Sequence, residues 1–268
     1  MNKHILPLIK NERLALGAHL HTYRSAEIAE SARAGQFVNI LPGRGHDPLL
    51  RRPFSVCTVD RGAGEFTALI KVVGPGTRLL ADLQPPAEVD MLAPLGLHFE
   101  WEGARSMLLV AGGVGVAPLL LLCQEAHERF PDCASGKRSE LRPELIFCYG
   151  ARTAEDFVLL DRIEPLVDEL ILTTNDGSMG RKGFVTEAAE ERFGDDVSIF
   201  TCGPNAMMND LLTRMRRRGL EGQASLENQM GCGIGACLGC VITTRQGYRR
   251  ICCQGPVVPT ELLESIGW

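Results

Sequence analysis

Five cysteines near the carboxyl end are the residues of this chain most able to do chemistry. Cys232, Cys237 and Cys240 follow the spacing C-x4-C-x2-C, and Cys252 and Cys253 come shortly afterwards. This is the plant-type spacing of cysteines that bind a [2Fe–2S] cluster together with one more distant thiolate. The glycines and alanine between the sulfur atoms let the backbone wrap tightly and direct N–H groups at cluster sulfides. The sequence therefore predicts a [2Fe–2S] site, with either Cys252 or Cys253 as its fourth ligand.

A structural zinc site is the main alternative for these cysteines. Zinc frameworks usually consist of paired short knuckles, whereas this chain has one dense triplet followed by a distant ligand. A non-catalytic binding module with a zinc-bearing tail is therefore the alternative from a different functional class. Disulfides are less favoured, because the remaining cysteines are isolated and most lie in apolar runs, which predicts buried free thiols in a reducing compartment. These isolated cysteines are Cys57, Cys123, Cys133, Cys148 and Cys202.

Two short motifs in the first hundred residues have the composition of flavin contacts. In residues 52–55, Arg-Pro-Phe-Ser, the arginine could bind a pyrophosphate while the phenylalanine and serine line a flavin ring. In residues 74–77, Gly-Pro-Gly-Thr, glycine permits close backbone approach, and the threonine and the helix start offer hydrogen bonds to phosphate. Each motif alone also fits a strand start or a threonine-capped turn.

Two glycine motifs in the second half could bind a dinucleotide. Residues 111–118, Ala-Gly-Gly-Val-Gly-Val-Ala-Pro, join a buried strand to a helix. They resemble the dinucleotide fingerprint, but Pro118 replaces its third glycine and no acidic residue follows at the expected distance. Residues 201–204, Thr-Cys-Gly-Pro, also join a strand to a helix, at the edge where parallel sheets bind ligands. A packing turn and a helix-initiating proline are the simpler explanations.

The distribution of strand-like and helix-like segments predicts how these motifs are positioned. Six short strand-like runs, at 5–9, 14–23, 36–41, 54–59, 65–73 and 88–93, predict an antiparallel β-barrel with one helical piece at 76–83. From residue 106, strands at 107–111, 144–149, 169–174 and 197–202 alternate with helices at 116–130, 154–167, 185–193 and 205–217, which predicts an α/β parallel sheet. We expect an α+β multidomain chain with a barrel over 1–100, an α/β nucleotide domain over 101–222 and a cysteine-bearing tail over 223–268.

Composition excludes several other classes of function. The net charge of −5 gives no reason to expect nucleic-acid binding. Residues 107–123 are uncharged, but they fall short of the roughly 20 residues that span a bilayer and contain glycine and proline. No secretory signal is visible at the start, so a cytoplasmic location is expected. P-loop, nucleophile-elbow and H-E-x-x-H motifs are absent from the sequence, which leaves hydrolase and kinase functions unsupported.

Taken together, the four motifs of the barrel and α/β regions resemble the ferredoxin–NADP reductase superfamily. The tail narrows this resemblance: residues 225–240 (SLENQMGCGIGACLGC), 252–258 (CCQGPVV) and 173–186 (TTNDGSMGRKGFVT) are similar to the electron-transfer subunit of NAD-dependent (class 1B) dihydroorotate dehydrogenase. The similarity covers nearly the whole chain. It implies FAD, a [2Fe–2S] cluster and NAD(H) as cofactors, with FAD between the other two because a flavin exchanges either one or two electrons.

The resemblance also implies roles for individual residues. The expected FAD contacts are Arg52, Pro53, Phe54, Ser55, Leu69, Ile70, Lys71, Gly76 and Thr77. From the two glycine motifs we predict NAD contacts, with the pyrophosphate against residues 112–115 and the nicotinamide near residues 202–204. These contacts are Gly112, Gly113, Val114, Gly115, Pro118, Cys202, Gly203 and Pro204. The expected cluster ligands are Cys232, Cys237, Cys240 and Cys252, the last because residues 252–257 match the pattern C-x-x-G-P-V. In an extended segment adjacent side chains point to opposite faces, so only one of Cys252 and Cys253 should reach the iron.

The resemblance finally implies a partner. Dihydroorotate chemistry would belong to a separate FMN-containing catalytic subunit, with two copies of each subunit in the complex. The small subunit of an NADH-dependent ferredoxin:NADP⁺ oxidoreductase or of a sulfhydrogenase is the nearest alternative, because it contains the same cofactors. The sequence also does not decide whether the nucleotide is NAD or NADP, because Arg152 could bind a 2′-phosphate or could be a solvated loop residue.

Overall fold

A closed antiparallel barrel forms the first part of the chain in the computed structural model, which describes residues 2–43, 45, 47–131 and 139–266. Its strands are β1 (Asn2–Arg13), β2 (Ala18–Arg24), β3 (Phe37–Ile40), β4 (Arg52–Asp60), β5 (Glu65–Lys71) and β6 (Ala87–Leu95), in the spatial order β1-β2-β5-β4-β3-β6. Two short helices, α1 (Ala26–Ser31) and α2 (Pro75–Ala81), connect strands. The six-stranded barrel expected from the sequence is confirmed.

A parallel sheet with helices forms the second part. Its strands are β7 (Ser106–Gly112), β8 (Glu144–Ala151), β9 (Glu169–Thr174), β10 (Arg181–Lys182), β11 (Val197–Cys202) and β12 (Gly222–Ser225). Its helices are α3 (Val116–Arg129), α4 (Leu160–Ile163), α5 (Val185–Glu190) and α6 (Asn205–Arg217). The uncharged segment 107–123 is the buried strand β7, a glycine turn and the buried first half of α3. No helix in the described part of the chain is both long and apolar enough to cross a bilayer.

The helix expected over 154–167 is wrong in extent. Only α4 is α-helical there, flanked by single 3-10 turns at Ala154–Asp156 and Glu164–Leu166. Phe157, Val158 and Leu159 lie between them and are buried in the main core, with Leu159 at a positive φ of 61°. The backbone is extended at Phe157 and left-handed at Leu159, so no helix passes through this segment, and Pro165 prevents continuation of α4.

The carboxyl-terminal tail is built into the sheet. It contains the hairpin β13 (Val241–Thr244) and β14 (Gly247–Arg250), the short helix α7 (Ile251–Gln254) and β15 (Val257–Pro259). β15 pairs antiparallel with β12, so the sheet has seven strands in the order β10-β9-β8-β7-β11-β12-β15. The tail also contacts the barrel, since Leu97 donates its backbone N–H to the carbonyl of Gly255 and forms a bridge with Pro256.

Polar contacts join the barrel to α3. The carboxylate of Glu125 accepts a hydrogen bond from the backbone N–H of Ala34 at 2.7 Å and forms an ion pair with Arg33 at 3.3 Å. Burial raises the pKa of Glu125, with the Ala34 N–H and the Arg33 charge opposing this. The barrel and the α/β part also share one hydrophobic cluster. The expected free thiols Cys57, Cys123, Cys148 and Cys202 are buried, and Cys133 lies outside the described residues.

Candidate iron–sulfur, flavin and nucleotide sites

Four of the tail cysteines form two pairs. The backbone N–H of Cys232 points at the sulfur of Cys237 and that of Cys237 points at the sulfur of Cys232, both at 3.4 Å. The backbone N–H of Cys252 points at the sulfur of Cys240, also at 3.4 Å. The two pairs are linked through Gly235, whose N–H donates to the sulfur of Cys252 at 3.0 Å.

This arrangement fits a binuclear cluster. A [2Fe–2S] cluster takes two protein ligands on each of its two irons, whereas a structural zinc ion takes four ligands around one centre. Within the residues that the structure describes, no group of three or more His, Cys, Asp or Glu side chains is arranged around a single metal position. Two separate pairs of sulfur atoms therefore match a pair of irons better than one zinc ion.

The loop supplies hydrogen-bond donors to the sulfur atoms. Burial acts to raise the pKa of Cys232, but the N–H groups of Ile234 and Cys237 outweigh it and lower that pKa to about 6. Burial together with the neighbouring Cys240 raises the pKa of Cys252 to about 12. Backbone donors around a sulfur favour its thiolate form, which is the form that binds iron.

The choice between Cys252 and Cys253 does not rest on an extended segment. Both residues lie in α7, so the expectation of an extended backbone was wrong. Both sulfur atoms lie beside Gly235 of the cysteine loop, residues 231–240, but only the sulfur of Cys252 accepts a hydrogen bond from its N–H. The sulfur of Cys253 instead donates to the Arg250 carbonyl at 3.9 Å. The helix separates the two side chains, and its geometry favours Cys252 as the fourth ligand.

Arg250 holds the cysteine loop through a backbone carbonyl. Its Nη1 donates to the carbonyl of Gly235 at 3.0 Å, and its Nε and backbone N–H both point at Oε1 of Gln254. Gly235 has a φ of 81°, which glycine adopts without strain. No local motif marks this contact, because Arg250 lies 15 residues from Gly235 in the chain and an arginine in a hairpin is usually solvated.

A cavity of about 650 Å³ lies where the barrel, the α/β part and the tail meet. Most of the residues expected to contact FAD line it, as do six residues at the start of the tail. The expected residues on its wall are Arg52, Pro53, Phe54, Ser55, Leu69, Lys71 and Thr77, and the tail residues are Ser225, Leu226, Glu227, Asn228, Gln229 and Met230. Its position across the barrel strands fits a flavin, and we name it the flavin cavity.

Two expected FAD residues lie behind this wall. Ile70 is fully buried in the barrel core, as strand alternation between Leu69 and Lys71 requires. A β-carbon on Gly76 would lie 3.1 Å from Nε of Arg52, so this glycine makes room for the guanidinium. Thr77 caps its own turn, since its hydroxyl donates to the Gly74 carbonyl at 3.0 Å.

A second cavity, of about 660 Å³, opens at the carboxyl ends of β7, β8 and β9, and we name it the nucleotide cavity. Gly112, Gly113 and Pro204 line both cavities, together with Lys71. By contrast, Val114, Gly115 and Gly203 line the flavin cavity but not the nucleotide cavity. Neither wall contains Pro118, which is buried in α3, or the side chain of Cys202, which is 2% exposed.

Gly112 and Gly115 are needed for packing as well as for ligand approach. A β-carbon on Gly115 would overlap the backbone carbonyl of Cys202, and one on Gly112 would lie 2.8 Å from Cδ of Pro204. Burial raises the pKa of the Cys202 thiol far above its usual value, so this sulfur is inert. The turn therefore brings the ends of β7 and β11 together.

Several residues on the nucleotide cavity were not among the expected contacts. They lie at or after the ends of β8 and β9, at the start of α5 and along α6, and include Gly150, Ala151, Asp156, Thr173, Asn175, Phe184, Asp210 and Arg214. Arg152, which the sequence offered as a reader of a 2′-phosphate, also lines this cavity. The rule that ligands bind at the carboxyl ends of parallel strands would have found them, had it been applied to β8 and β9 as well.

The cysteine pairs and the flavin cavity share one packed layer. Phe37 and Met230 line the cavity and belong to the same hydrophobic cluster as Cys240 and Cys252. Glu227 opens on this cavity, where desolvation raises its pKa and the charge of Lys71 partly offsets that effect. The three candidate sites are thus adjacent in the order cysteine loop, flavin cavity, nucleotide cavity.

Comparison with known proteins agrees with this arrangement. Residues 227–264 match the model of the iron–sulfur cluster binding domain of dihydroorotate dehydrogenase B, and residues 109–212 match the oxidoreductase NAD-binding domain. The structure of an NADH-dependent reduced ferredoxin-NADP oxidoreductase is 28% identical, with a TM-score of 0.83 over 98% of this chain and 90% of that one. A ferredoxin NADP⁺ reductase from Neisseria gonorrhoeae with bound FAD and NADP shares the fold at 15% identity, with a TM-score of 0.67 over 82% of this chain and 92% of that one.

The barrel, the parallel sheet and the paired cysteines together define an iron–sulfur flavoprotein oxidoreductase of the ferredoxin reductase type. Electron-transfer subunits of dihydroorotate dehydrogenase B (NAD⁺) are 35% identical in Bacillus cereus strain Q1, over 97% of both chains, and 34% identical in Desulforamulus reducens, over 89% of both chains. The chain belongs to this family of dihydroorotate dehydrogenase B electron-transfer subunits. The expected family, fold class and set of cofactors are confirmed, whereas the individual contact residues and the domain limits stay predictions.

Proposed function

We propose that this chain receives electrons at its cysteine loop from an FMN-containing catalytic subunit that oxidises dihydroorotate, and delivers them to NAD⁺ at the nucleotide cavity. The complex contains two copies of each subunit and works in the cytoplasm. The observation that carries this proposal is the adjacency of the three sites, since Phe37 and Met230 join the first two and Gly112, Gly113 and Pro204 join the last two.

The residues of the flavin cavity hold the cofactor between the other two sites. When bound, FAD exchanges two electrons with NAD(H) and single electrons with an iron–sulfur cluster. Arg52 lies beside Gly76 and supplies a guanidinium for the pyrophosphate, while Phe54 and Ser55 on β4 face the flavin ring. Its neighbour Arg51 has a different role, because it forms an ion pair with Asp90 at 2.7 Å and closes the barrel.

The nucleotide cavity orients NAD(H) towards this ring. Gly112, Gly113 and Pro204 form the shared wall, which places the nicotinamide end beside the flavin. The wall of this cavity also contains Phe184, which is 63% exposed and offers an aromatic face for the adenine. Ligand approach at the carboxyl edge of the sheet matches the general rule for such folds.

The surface around the cysteine loop supports docking of a partner protein. Ile234, Leu238 and Tyr248 are large apolar side chains near the loop, with 43%, 61% and 78% of their surface exposed. Leu238 lies between Cys237 and Cys240 at a φ of 58°, a strained conformation for a leucine. Exposed apolar side chains grouped beside a redox centre fit an interface through which electrons enter.

Purification of the chain with and without its partner tests this proposal. The isolated chain should show flavin and iron–sulfur absorbance and reduce a dye with NADH, but should not oxidise dihydroorotate. Addition of the co-purified FMN-containing subunit should give dihydroorotate-dependent reduction of NAD⁺. Dihydroorotate oxidation by the isolated chain, or zinc in place of iron, would contradict the proposal.

The small subunit of a ferredoxin:NADP⁺ oxidoreductase stays as a second candidate because of its structural likeness over 98% of this chain. The relatives at 34% and 35% identity, by contrast, are dihydroorotate dehydrogenase B subunits. Mass spectrometry of the subunit that co-purifies with this chain distinguishes the two candidates.

A further inference from the structure

Asn39 occupies an unusual position on the outer face of the barrel. It lies in β3 between Val38 and Ile40, whose side chains belong to the barrel core, and it points to the opposite face together with Phe37. The tail covers that face, and Asn39 is fully buried. A barrel side chain of this kind is normally apolar, so the amide requires an explanation.

Neither polar atom of this amide has a hydrogen-bond partner among the described residues. Leaving a buried donor or acceptor unpaired costs about 1–3 kcal/mol for each group. A leucine of similar size would fill the same space without that cost. The amide is therefore explained best by a partner that belongs to a bound group.

The amide faces the cysteine loop. A β-carbon built on Gly233 would overlap Nδ2 of Asn39, and Gly233 has a φ of 72°, so glycine at this position lets the loop lie directly on the amide. Gly233 follows Cys232 directly in the chain. Asn39 is absent from the wall of the flavin cavity, which makes the flavin an unsuitable partner for it.

We propose that Nδ2 of Asn39 donates a hydrogen bond to a sulfur atom of the [2Fe–2S] site near Cys232 and thereby sets the reduction potential of that site. This inference rests on the proposed cluster. Reduction adds one electron and one negative charge to the cluster, and the N–H donor keeps its proton. A donor stabilises the more negative state more strongly, so Asn39 raises the reduction potential.

A redox titration of the complete complex, followed by the EPR signal of the reduced cluster, tests this role. In Asn39→Leu we expect the one-electron equilibrium to shift about tenfold towards the oxidised cluster. This corresponds to a reduction potential about 59 mV lower than that of the wild type. The matched control is Asn11→Leu, because Asn11 lies in the same barrel but donates to the carbonyls of Ala81 and Leu83. The control should lose stability and keep the potential of the wild type.

A second measurement distinguishes the cluster from a buried water molecule as the hydrogen-bond partner of the Asn39 amide. If the cluster satisfies the amide, Asn39→Leu should raise the melting temperature of a chain that lacks the cluster, such as Cys237→Ser, and should not raise that of the loaded chain. A water molecule would satisfy the amide in both cases, and the substitution would then change both melting temperatures alike.

The outcomes are distinct. An unchanged reduction potential in Asn39→Leu, or equal melting shifts with and without the cluster, overturns the role of Asn39. Absence of iron and acid-labile sulfide from the wild-type complex instead refutes the proposed function itself.

Discussion

Gly115 lies directly against the backbone carbonyl of Cys202, with no room for a β-carbon between them. This contact joins the turn after β7 to the end of β11, and both strands carry residues of the candidate sites. In Gly115→Ala the backbone must shift, and we expect a loss of about 3 kcal/mol in the free energy of unfolding. Weaker binding of NADH and FAD should accompany that loss. Chemical denaturation and fluorescence titration measure the two effects.

The matched control for this change is Gly194→Ala. A β-carbon on Gly194 would lie 3.6 Å from Cγ2 of Val197, which is an ordinary contact, and its φ is not positive. Its effect should stay within about 0.5 kcal/mol. Equal losses in the two variants would show that the Gly115 contact has no special importance.

The two cysteine pairs predict a clear difference between Cys237→Ser and Cys253→Ser. Loss of Cys237 removes one ligand of the first pair, so the iron–sulfur absorbance should disappear and transfer from the partner should stop, with FAD retained. The sulfur of Cys253 donates to the carbonyl of Arg250 and packs beside Gly235, but no backbone N–H among the described residues is directed at it. Its replacement should therefore leave the iron content unchanged. Iron analysis and the visible spectrum provide the measurement, and loss of iron in Cys253→Ser would reverse the assignment of the fourth ligand.

Arg250 should influence the cluster both through its charge and through its hold on the loop. Arg250→Met removes the hydrogen bond to Gly235 and a positive charge near the thiolates, so the reduction potential of the cluster should fall and iron loss in air should become faster. Arg249→Met is the matched control, since the neighbouring Arg249 makes no comparable contact with the loop among the described residues. A redox titration showing equal potentials in both variants would refute this role.

The ion pair between Arg152 and Asp156 bears on the choice of nucleotide. Nε of Arg152 lies 3.0 Å from Oδ2 of Asp156, and both residues line the nucleotide cavity. The carboxylate of Asp156 pairs with the guanidinium of Arg152 and repels the 2′-phosphate of NADPH. In Asp156→Asn we expect the ratio of kcat/KM for NADH over NADPH to fall by about tenfold, or about 1.4 kcal/mol. Asp161→Asn, on the exposed side of α4, should keep the wild-type ratio.

His21 makes the barrel sensitive to acid. Burial lowers the pKa of His21 to about 4, with a further contribution from His19, and the ring contacts the hydroxyl of Tyr23 at 2.8 Å. The unfolded chain takes up a proton on this residue below about pH 6.5, whereas the folded chain does so only near pH 4. Between these values the unfolded state binds more protons, so stability decreases as the pH falls.

Denaturation at pH 7.5 and pH 5.0 tests this dependence. The wild type should lose about 2 kcal/mol more than His21→Leu between these two pH values. The control, His4→Leu, removes a half-buried imidazole that contacts the carbonyl of Ala93 and should behave as the wild type does. An identical pH dependence in wild type and His21→Leu would show that the fold does not lower the pKa of this ring.

The hydrophobic periodicity of the segments, together with the residues that bound them, was enough to predict the architecture. The alternating runs in the first hundred residues and the β/α alternation after residue 106 correspond to a barrel and a parallel sheet, because each segment obeys its local pattern. The prediction of a helix at 154–167 failed because the backbone leaves the helical conformation at Phe157 and Leu159, which the apolar pattern of the segment does not show. The strand expected at 14–23 begins only at Ala18, because Ala15–Gly17 forms a 3-10 turn.

The candidate sites were predictable only where a local motif marks them. Cysteine spacing located the loop, and the glycine motifs located the turns after β7 and β11. Asn39, Arg250 and Phe184 reach their sites from distant parts of the chain, and nothing in their immediate sequence distinguishes them from solvated or core residues. Such long-range contacts follow from how the tail packs on the barrel and the sheet, which no single-segment pattern encodes.

The pairing of β15 with β12 makes the electron-transfer tail an integral strand of the rigid scaffold. A redox centre on a tethered module can travel between donor and acceptor, but here swinging would require breaking the edge of the sheet and the contacts of Leu97 with Gly255 and Pro256. The distance between the iron site and the flavin is therefore set at folding. In the proposed complex the catalytic subunit must therefore hold its own cofactor beside this stationary site, because the tail cannot swing to meet it.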